Sequence, residues 1–388
     1  MYFIPEYVQK VIDTLCGAGY EAYIVGGPVR DILIGNLPDD YDIATSCPPD
    51  KTMELFPKTI ATGIKHGTVT VVVQEKNIEV TTYRTDGKYI NHRSPEKVNF
   101  VSSINEDLSR RDFTINAMAY NKTTGIIDLF GGRDDLRQGI IRCVGKPENR
   151  FNEDALRILR AFRFAAKLGF DIEEKTLQAI KTTLHLLPGI SRERIFSELS
   201  KILISQNPQV IETLINLGGL RFLGIEQASS ITQLSVLPVS LPLRFYAFCK
   251  ICRINAYRLC QELKTDNKLK EYCINMERLF DNGADISKVG LKHMLNMANV
   301  ATVHDYLLLL EVLNGAKIRF AKTILDEIIM NREPYLTRHL ALNGNDIISK
   351  GFNNEQVGII LKQLLEIVIE NPKLNNKTDL TEILNNIQ

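Results

Sequence analysis

Asp40 and Asp42 stand one residue apart within "YIVGGPVRDILIGNLPDDYDIAT", Tyr23 to Thr45. In an extended chain the period of 2 aims both carboxylates at one face. Two like charges held together are costly, and a divalent cation offsets that cost. Hard oxygen ligands of this kind suit Mg²⁺ carrying a substrate phosphate. A third acid, Glu79, interrupts "IEVTTYR", where Glu79, Thr81 and Tyr83 alternate against Ile78, Val80 and Thr82. If the two strands are neighbours, three carboxylates form a site for two metals, able to activate a hydroxyl and stabilise a departing phosphate oxygen. Taken singly, each feature has a plainer reading: Glu79 on the water side of an edge strand, and the aspartates, with Asp39, in a solvated acidic turn. Gly26, Gly27 and Arg30 just upstream favour the chemical reading, because free backbone N–H groups at a helix start and a guanidinium would cradle a triphosphate.

The elements that must position these groups follow from the local pattern. Glu21 to Val25 reads as a short apolar strand, Gly26 and Gly27 as a turn, and Pro28 suits the first position of a helix reaching about Ile34. The chain turns at Asn36 to Pro38 and extends again through Asp40 and Asp42. "VTVVVQ" and "IEVTTYR" read as strands of a hairpin, joined by a polar turn at Glu75 to Asn77. Helices and strands thus alternate over roughly the first 145 residues, whereas from Pro147 onward amphipathic helical patterns follow one another, broken near Pro188, Ser235 and Asn331. The fold class expected is α+β: a mixed-sheet head followed by an all-helical C-terminal region.

With 388 residues and 44% hydrophobic content the chain has material for two or more domains. A net charge of +1 argues against a uniformly basic surface, so any polyanion must be met by local Arg and Lys clusters. No apolar run approaches the roughly 18 residues of a membrane span and the first ten residues lack a signal pattern, so a cytoplasmic, membrane-free protein is expected. The seven cysteines are scattered and odd in number, which disfavours disulfides. Cys249 and Cys252 make a C-x-x-C with Cys260 and Cys273 following, but "LRFYAFCKICRINAYRLCQELK" reads as continuous helix without the turns of a zinc knuckle. "GAGYEA" from Gly17 imitates a dinucleotide fingerprint but follows a helix and precedes a strand, the reverse of the required order. His304-Asp305 lacks the further ligands of a metal phosphohydrolase, and His66 fits a turn as well as a phosphate contact.

"GGPVRD", "DDYDIAT", "KHGTVTV", "RRDFTINAMA", "DLFGG" and "RFNEDALRILRAFRFAAKLGF", in this order over about the first 170 residues, closely resemble the class II tRNA nucleotidyltransferases, the CCA-adding enzymes of the DNA polymerase β-like superfamily. The helical remainder is similar in character, with "LALNGNDII" resembling the tail of bacillus-type members. The resemblance implies a nucleotidyltransferase head at 1–145, a nucleobase-recognising neck at 146–225, a body at 226–330 and a tRNA-binding tail at 331–388. It implies that Asp40 and Asp42 bind catalytic Mg²⁺ and that Glu79 completes the acidic site. It further implies that Gly26, Gly27, Arg30 and Arg111 lie at the incoming nucleotide, Asp112 and Asn116 near its sugar and phosphates, Asp154 and Arg157 at the base, and Arg160 and Arg163 close by. The activity implied is untemplated addition of C, C and A to the tRNA 3′ end from CTP and ATP, releasing pyrophosphate. CC-only or A-only addition and poly(A) polymerase are the alternatives within the family, and a catalytically silent RNA-binding protein is the alternative outside it. Monomer and homodimer both remain open. Ser94 stands where relatives often carry a second Arg, and Pro28 where they carry a small residue.

Spacing bears on the base-reading group separately. Asp154, Arg157 and Arg160, each about one turn apart, form a polar stripe, with Leu156, Leu159, Phe162 and Ala166 on other faces. A solvated face with i,i+3 ion pairs has the same spacing. A carboxylate beside a guanidinium nonetheless suits C and A, which both offer an exocyclic amino donor next to a ring-nitrogen acceptor; uracil and guanine reverse both groups.

Overall fold

Short runs of β-branched residues build the first part of the chain. The computed structural model describes every residue except 1, 87–88, 91–93, 96–97, 230, 284, 316–317 and 388, and no side chains within 86–97 or at 314 and 387. Ser94, flagged above, therefore lies outside the described side chains. Helix α1 (Glu6–Gly17) buries Val8, Val11, Ile12 and Leu15, the stripe expected of period 3.6. It ends inside "GAGYEA", where the Ala18 and Gly19 amides donate back to Thr14 and Cys16, so this stretch is a helix terminus.

There follow β1 (Ala22–Val25), α2 (Gly27–Leu33), β2 (Asp42–Thr45), α3 (Pro49–Leu55), β3 (Thr59–Gly63), β4 (Thr68–Val73) and β5 (Lys76–Thr82). Two short ladders come next, β6 (Arg84–Asp86) with β9 (Val98–Phe100) and β7 (Tyr89–Ile90) with β8 (Ser94–Pro95). Helix α4 (Ile104–Ser109), β10 (Met118–Asn121), β11 (Gly125–Asp128) and α5 (Gly132–Gln138) complete the head. Seven strands form one sheet in the order β11-β10-β1-β2-β5-β4-β3. The β2–β5 pair is parallel and its other neighbours antiparallel, so the sheet is mixed.

Two local expectations shift. The β4–β5 turn is Gln74 and Glu75, at φ of 50° and 60°, one residue earlier than the polarity of Glu75 to Asn77 suggests. Tyr83 does not continue the exposed face of Glu79 and Thr81. It leaves the strand, is wholly buried, and packs with Tyr23, Val25, Ala44, Ile104, Leu108 and Ala119 in the core on one side of the sheet.

After the head the chain is helical apart from the two-residue strands β12 (Ile140–Ile141) and β13 (Asp171–Ile172), which pair in parallel. Helices α6 (Pro147–Glu153), α7 (Leu156–Leu168), α8 (Glu174–Thr183), α9 (Arg192–Leu203) and α10 (Ile211–Asn216) follow. The chain divides into two compact units, Met1–Ala228 and Ser229–Gln388.

The described residues of the second unit contain helices and no strands. Side chains of Asn255, Asp266, Ser287, Asn299 and Asn353 each cap a helix start by accepting backbone N–H groups. The expected continuous helix through the cysteines is interrupted: one helix ends at Ile251, Arg253 takes φ 56°, and Asn255 caps the next. Cys249, Cys252, Cys260 and Cys273 are buried and unbridged. Among the described residues no three His, Cys, Asp or Glu groups are placed to share an ion. His304 and Asp305 turn to separate partners, Asp326 at 3.4 Å and the Tyr272 hydroxyl at 2.8 Å. Among the described residues, no helix is long and apolar enough to cross a membrane.

Candidate active site

Gly26 takes φ +74° and ψ −128°, a backbone geometry that side chains strongly disfavour. This sharp exit from β1 starts α2 and sends Arg30 inward, where it is almost fully buried. Arg30 is held by Asp31 at 2.7 Å and donates from Nη1 to Asn116 Oδ1 at 2.8 Å. Asn116 in turn donates to Asp112 Oδ1 at 3.2 Å, and Asp112 Oδ2 accepts from Arg160 Nε at 2.7 Å. One polar chain thus ties α2, the segment 112–116 and α7. Burial alone would raise the Asp112 carboxyl, but the charge and hydrogen bonds of Arg160 prevail and hold it at about 2.

The turn carrying Asn116 has its own support. Asp128, from "DLFGG", accepts the Gly132 and Arg133 amides at 2.8 and 2.9 Å and so fixes the start of α5. Asp135 of that helix accepts the Thr114 hydroxyl at 2.6 Å. A Cβ on Gly132 would meet the Thr114 carbonyl oxygen at 2.3 Å, so only glycine lets the helix approach this closely.

Asp42 and Glu79 are register partners across the parallel β2–β5 pair, and their side chains leave the same face of the sheet. Solvent reaches Asp42, yet protein surrounds it on most sides; that desolvation, with Glu79 and Asp40 adding repulsion against the relief from Arg111, pushes its carboxyl up to about 6. The two strands are therefore neighbours, the condition on which the three-acid site depended, but Asp40 is not in the strand. It lies in the bend before it. Extending the register Ile24↔Ile43 would pair Asp40 with Gly27, which has already left the sheet for α2, so the β1 side offers no partner there. As a donor set, a crowded carboxylate flanked by two more exposed ones fits a hard divalent cation that relieves their repulsion. The described side chains do not themselves converge as a three-acid cluster.

A cavity of about 490 Å³ opens beside Asp42, and its wall includes Gly26, Gly27, Arg30, Arg111, Asp112 and Asn116 from the head. Asp154, Arg157, Arg160 and Arg163 line the same cavity. Asp40 and Glu79 lie outside this lining. Eight Arg and Lys side chains against three Asp make the wall strongly cationic. Arg111 is steered by the buried Asp107 at 3.1 Å, and a Cβ on Gly26 would meet its Nη1 at 2.9 Å. Arg111 Nε and Arg194 Nη1 are buried donors that meet no acceptor among the described residues.

The expected single helix from Asn152 to Gly169 is broken. Asp154 is the extended residue after α6, at φ −138° and ψ 103°, and its Oδ1 accepts the Leu156 amide at 3.1 Å, starting α7. Asp154 therefore joins the Arg stripe through a side-chain cap rather than helical periodicity. Its Oδ2 meets Arg194 Nη2 of α9 at 2.7 Å. Arg157 binds Glu153 at 2.5 Å and donates to the Arg110 carbonyl at 3.1 Å. Arg163 pairs with the buried Glu198 of α9 at 2.7 Å.

Five further residues line the cavity: Arg110, Leu156, Phe164, Lys167 and Arg194. Lys167 carries the stripe of Arg157, Arg160 and Arg163 onward by four residues, a visible signal. Arg194, on α9, is not among the residues expected at the nucleotide and reaches the cavity through folding at long range.

The residues 22–142 match the family described as the Poly A polymerase head domain, and residues 169–228 match the probable RNA and SrmB-binding site of polymerase A. These define a polymerase-type nucleotidyltransferase head with its helical companion. A CCA-adding enzyme of Lactobacillus helveticus is 35% identical over 395 residues, covering 96% of this chain and 95% of the relative. One from Streptococcus gordonii is 49% identical over 224 residues, 57% of this chain and 56% of the relative; the alignments with the streptococcal relatives span only about half of their length. The crystal structure of the Bacillus stearothermophilus CCA-adding enzyme in complex with CTP superposes with a TM-score of 0.85 at 32% identity, covering 98% of this chain and 97% of that one. The chain belongs to the CCA-adding enzyme family.

Proposed function

We propose that the protein is a cytoplasmic tRNA nucleotidyltransferase that adds C, C and A to the tRNA 3′ end from CTP and ATP. The observation carrying this reading is that all ten residues expected at the nucleotide line one cationic cavity beside Asp42. Relatives bearing the name CCA-adding enzyme, and a similar structure holding CTP, support it.

In this reading Arg30, Arg111, Arg160 and Arg163 bind the triphosphate as point and forked donors, while Asp112 and Asn116 hold Arg30 and Arg160 in place. Asp154 accepts the exocyclic amino hydrogen of the base and Arg157 donates to its ring nitrogen, so uracil and guanine would leave buried groups mispaired. The tRNA 3′-hydroxyl attacks the α-phosphorus in line and pyrophosphate leaves. Asp40, Asp42 and Glu79 would hold Mg²⁺, which when bound supplies charge neutralisation at the reacting phosphate. The division into head (1–145), neck (146–225), body (226–330) and tail (331–388) belongs to the same proposal, with the tRNA gripped by the helical regions through phosphates and A-form shape.

Purified protein incubated with tRNA transcripts ending before CCA, after C and after CC, each with CTP, ATP or both, tests this. Growth of all three to full CCA is expected. Extension only of the CC-ended transcript would mark an A-adding enzyme, a long A tail the poly(A) polymerase that the head-domain match also admits, and no extension would end the reading.

A further inference from the structure

Three guanidinium groups of the cavity converge on one aromatic ring. Phe164, on α7 and almost fully buried, has Arg163 at 4.2 Å, Arg30 at 5.3 Å and Arg160 at 5.4 Å from its ring centre. Phe113 braces the ring edge-to-face at 5.7 Å. Like charges drawn this close oppose one another: burial first, then the charges of Arg160 and Arg30, depress the Arg163 guanidinium below its usual range. Carboxylates relieve part of this, Asp31 on Arg30, Asp112 on Arg160 and Glu198 on Arg163. Each of those anions, however, makes its direct ion pair with a single one of the three, although Glu198 also acts on Arg160 and Asp112 on Arg163 through space. Phe164 is the group that all three share, and the negative face of a ring attracts cations without adding a formal charge that would repel phosphate.

We propose that Phe164 is a positioning residue for the polyphosphate of the incoming nucleotide: its ring spreads Arg30, Arg160 and Arg163 into one preorganised anion cradle. The inference rests on the nucleotide-binding reading above and deepens it. Because the three arginines come from α2 and from two turns of α7, the ring also sets how the head-borne guanidinium meets those of the following helix. A cradle built this way acts on phosphates, which CTP and ATP share, and leaves base choice to Asp154 and Arg157.

The test places phenylalanine, mono-, di- and trifluorophenylalanine at position 164 of the full chain by nonsense suppression. Fluorination drains the ring's negative face at nearly constant shape. Binding of inorganic tripolyphosphate is measured by calorimetry, alongside KM for CTP and ATP. Tripolyphosphate affinity is expected to fall stepwise, by about tenfold across the series, with KM rising in parallel for both nucleotides and the ratio of CTP to UTP efficiency unchanged. Phe164→Tyr, which keeps the electron-rich face, is expected to stay within about twofold of the natural protein, and Phe164→Leu to match the trifluoro form. Affinity indifferent to fluorination would overturn the proposal and leave Phe164 as packing alone, with the nucleotide reading intact. Failure of the unsubstituted protein to bind tripolyphosphate while it still turns over CTP and ATP would overturn the proposal alone, and failure to bind tripolyphosphate and both nucleotides would overturn both.

Discussion

Asp42 and Glu79 stand opposite each other in the parallel β2–β5 ladder, while Asp40, two residues earlier, belongs to the bend that feeds the strand. Two of the three acids are thus fixed by sheet hydrogen bonds and one by a turn. Asp42→Ala is expected to abolish transfer of CTP and ATP alike while tRNA affinity stays near that of the natural protein, since on the proposed reading the acids act on phosphates common to both nucleotides. Radiolabelled extension and a filter-binding assay check the pair of outcomes; substantial activity of the Asp40→Ala, Asp42→Ala double variant would remove these residues from the mechanism.

Base choice is expected to respond to exchanging hydrogen-bond patterns. Asn at 154 and Gln at 157 can both donate and accept, so uracil would become acceptable. Discrimination against UTP and GTP should drop by about tenfold to a thousandfold in the ratio of kcat/KM, with a smaller loss of overall rate. Unchanged discrimination in steady-state assays with the four nucleotides would refute the protein-template reading.

Gly26→Ala should separate two penalties. Its backbone geometry costs about 1–3 kcal/mol for any residue with a Cβ, read as a lower Tm. The added methyl also intrudes on Arg111 Nη1, which Asp107 restrains, so KM for both nucleotides should rise. A variant with lowered Tm and unaltered KM would show that Arg111 does not meet the substrate.

Acid stability should report Asp112. Its carboxyl titrates at about 2 when folded, below the roughly 3.9 of an unfolded aspartate. The stabilisation, about 2 kcal/mol, is therefore complete above pH about 4 and lost as pH falls toward 2. Urea unfolding between pH 6 and 2.5 should show this loss in the natural protein and its absence in Asp112→Asn; parallel curves would contradict the assignment.

RNA affinity should fall with ionic strength, because a chain of net charge +1 must grip phosphates with a few clustered cations. Lys201, Lys268 and Lys270, in the helical part of the sequence, are the candidates. Arg194 is better assigned to the cavity, where it bridges Asp154, and Arg192 lies over the Phe222 ring at 5.0 Å. Neutralising the three lysines should flatten the salt dependence of tRNA binding; an unaffected slope would send the search elsewhere.

The strands carrying Asp42 and Glu79 and the Arg stripe of α7 were legible because each follows a short-range period, of two or of 3.6 residues, whereas the pairing of those two strands entered only as a condition. What escaped depends on where a partner stops. Asp40 precedes β2 at the level where Gly26 ends β1, and Asp154 falls out of its helix because its own carboxylate caps the next one. Neither event leaves a mark in hydrophobic spacing. Arg194 and Glu198 reach Asp154 and Arg163 from α9, thirty-five and more residues onward, a distance over which no local pattern carries information. The helix break at Arg253 escaped for a different reason, since an apolar run on either side of a positive-φ residue looks continuous.

Every residue lining the nucleotide cavity falls within Met1–Ala228. On the proposed reading the grammar of addition, meaning which letter is written, is spelled out before the chain reaches its second unit, among the described residues that form the wall. A chimera that keeps residues 1–228 and borrows a foreign helical remainder should keep the same alphabet and change its reader, accepting other RNA ends while still choosing C and A. Such a result would separate what is written from where it is written.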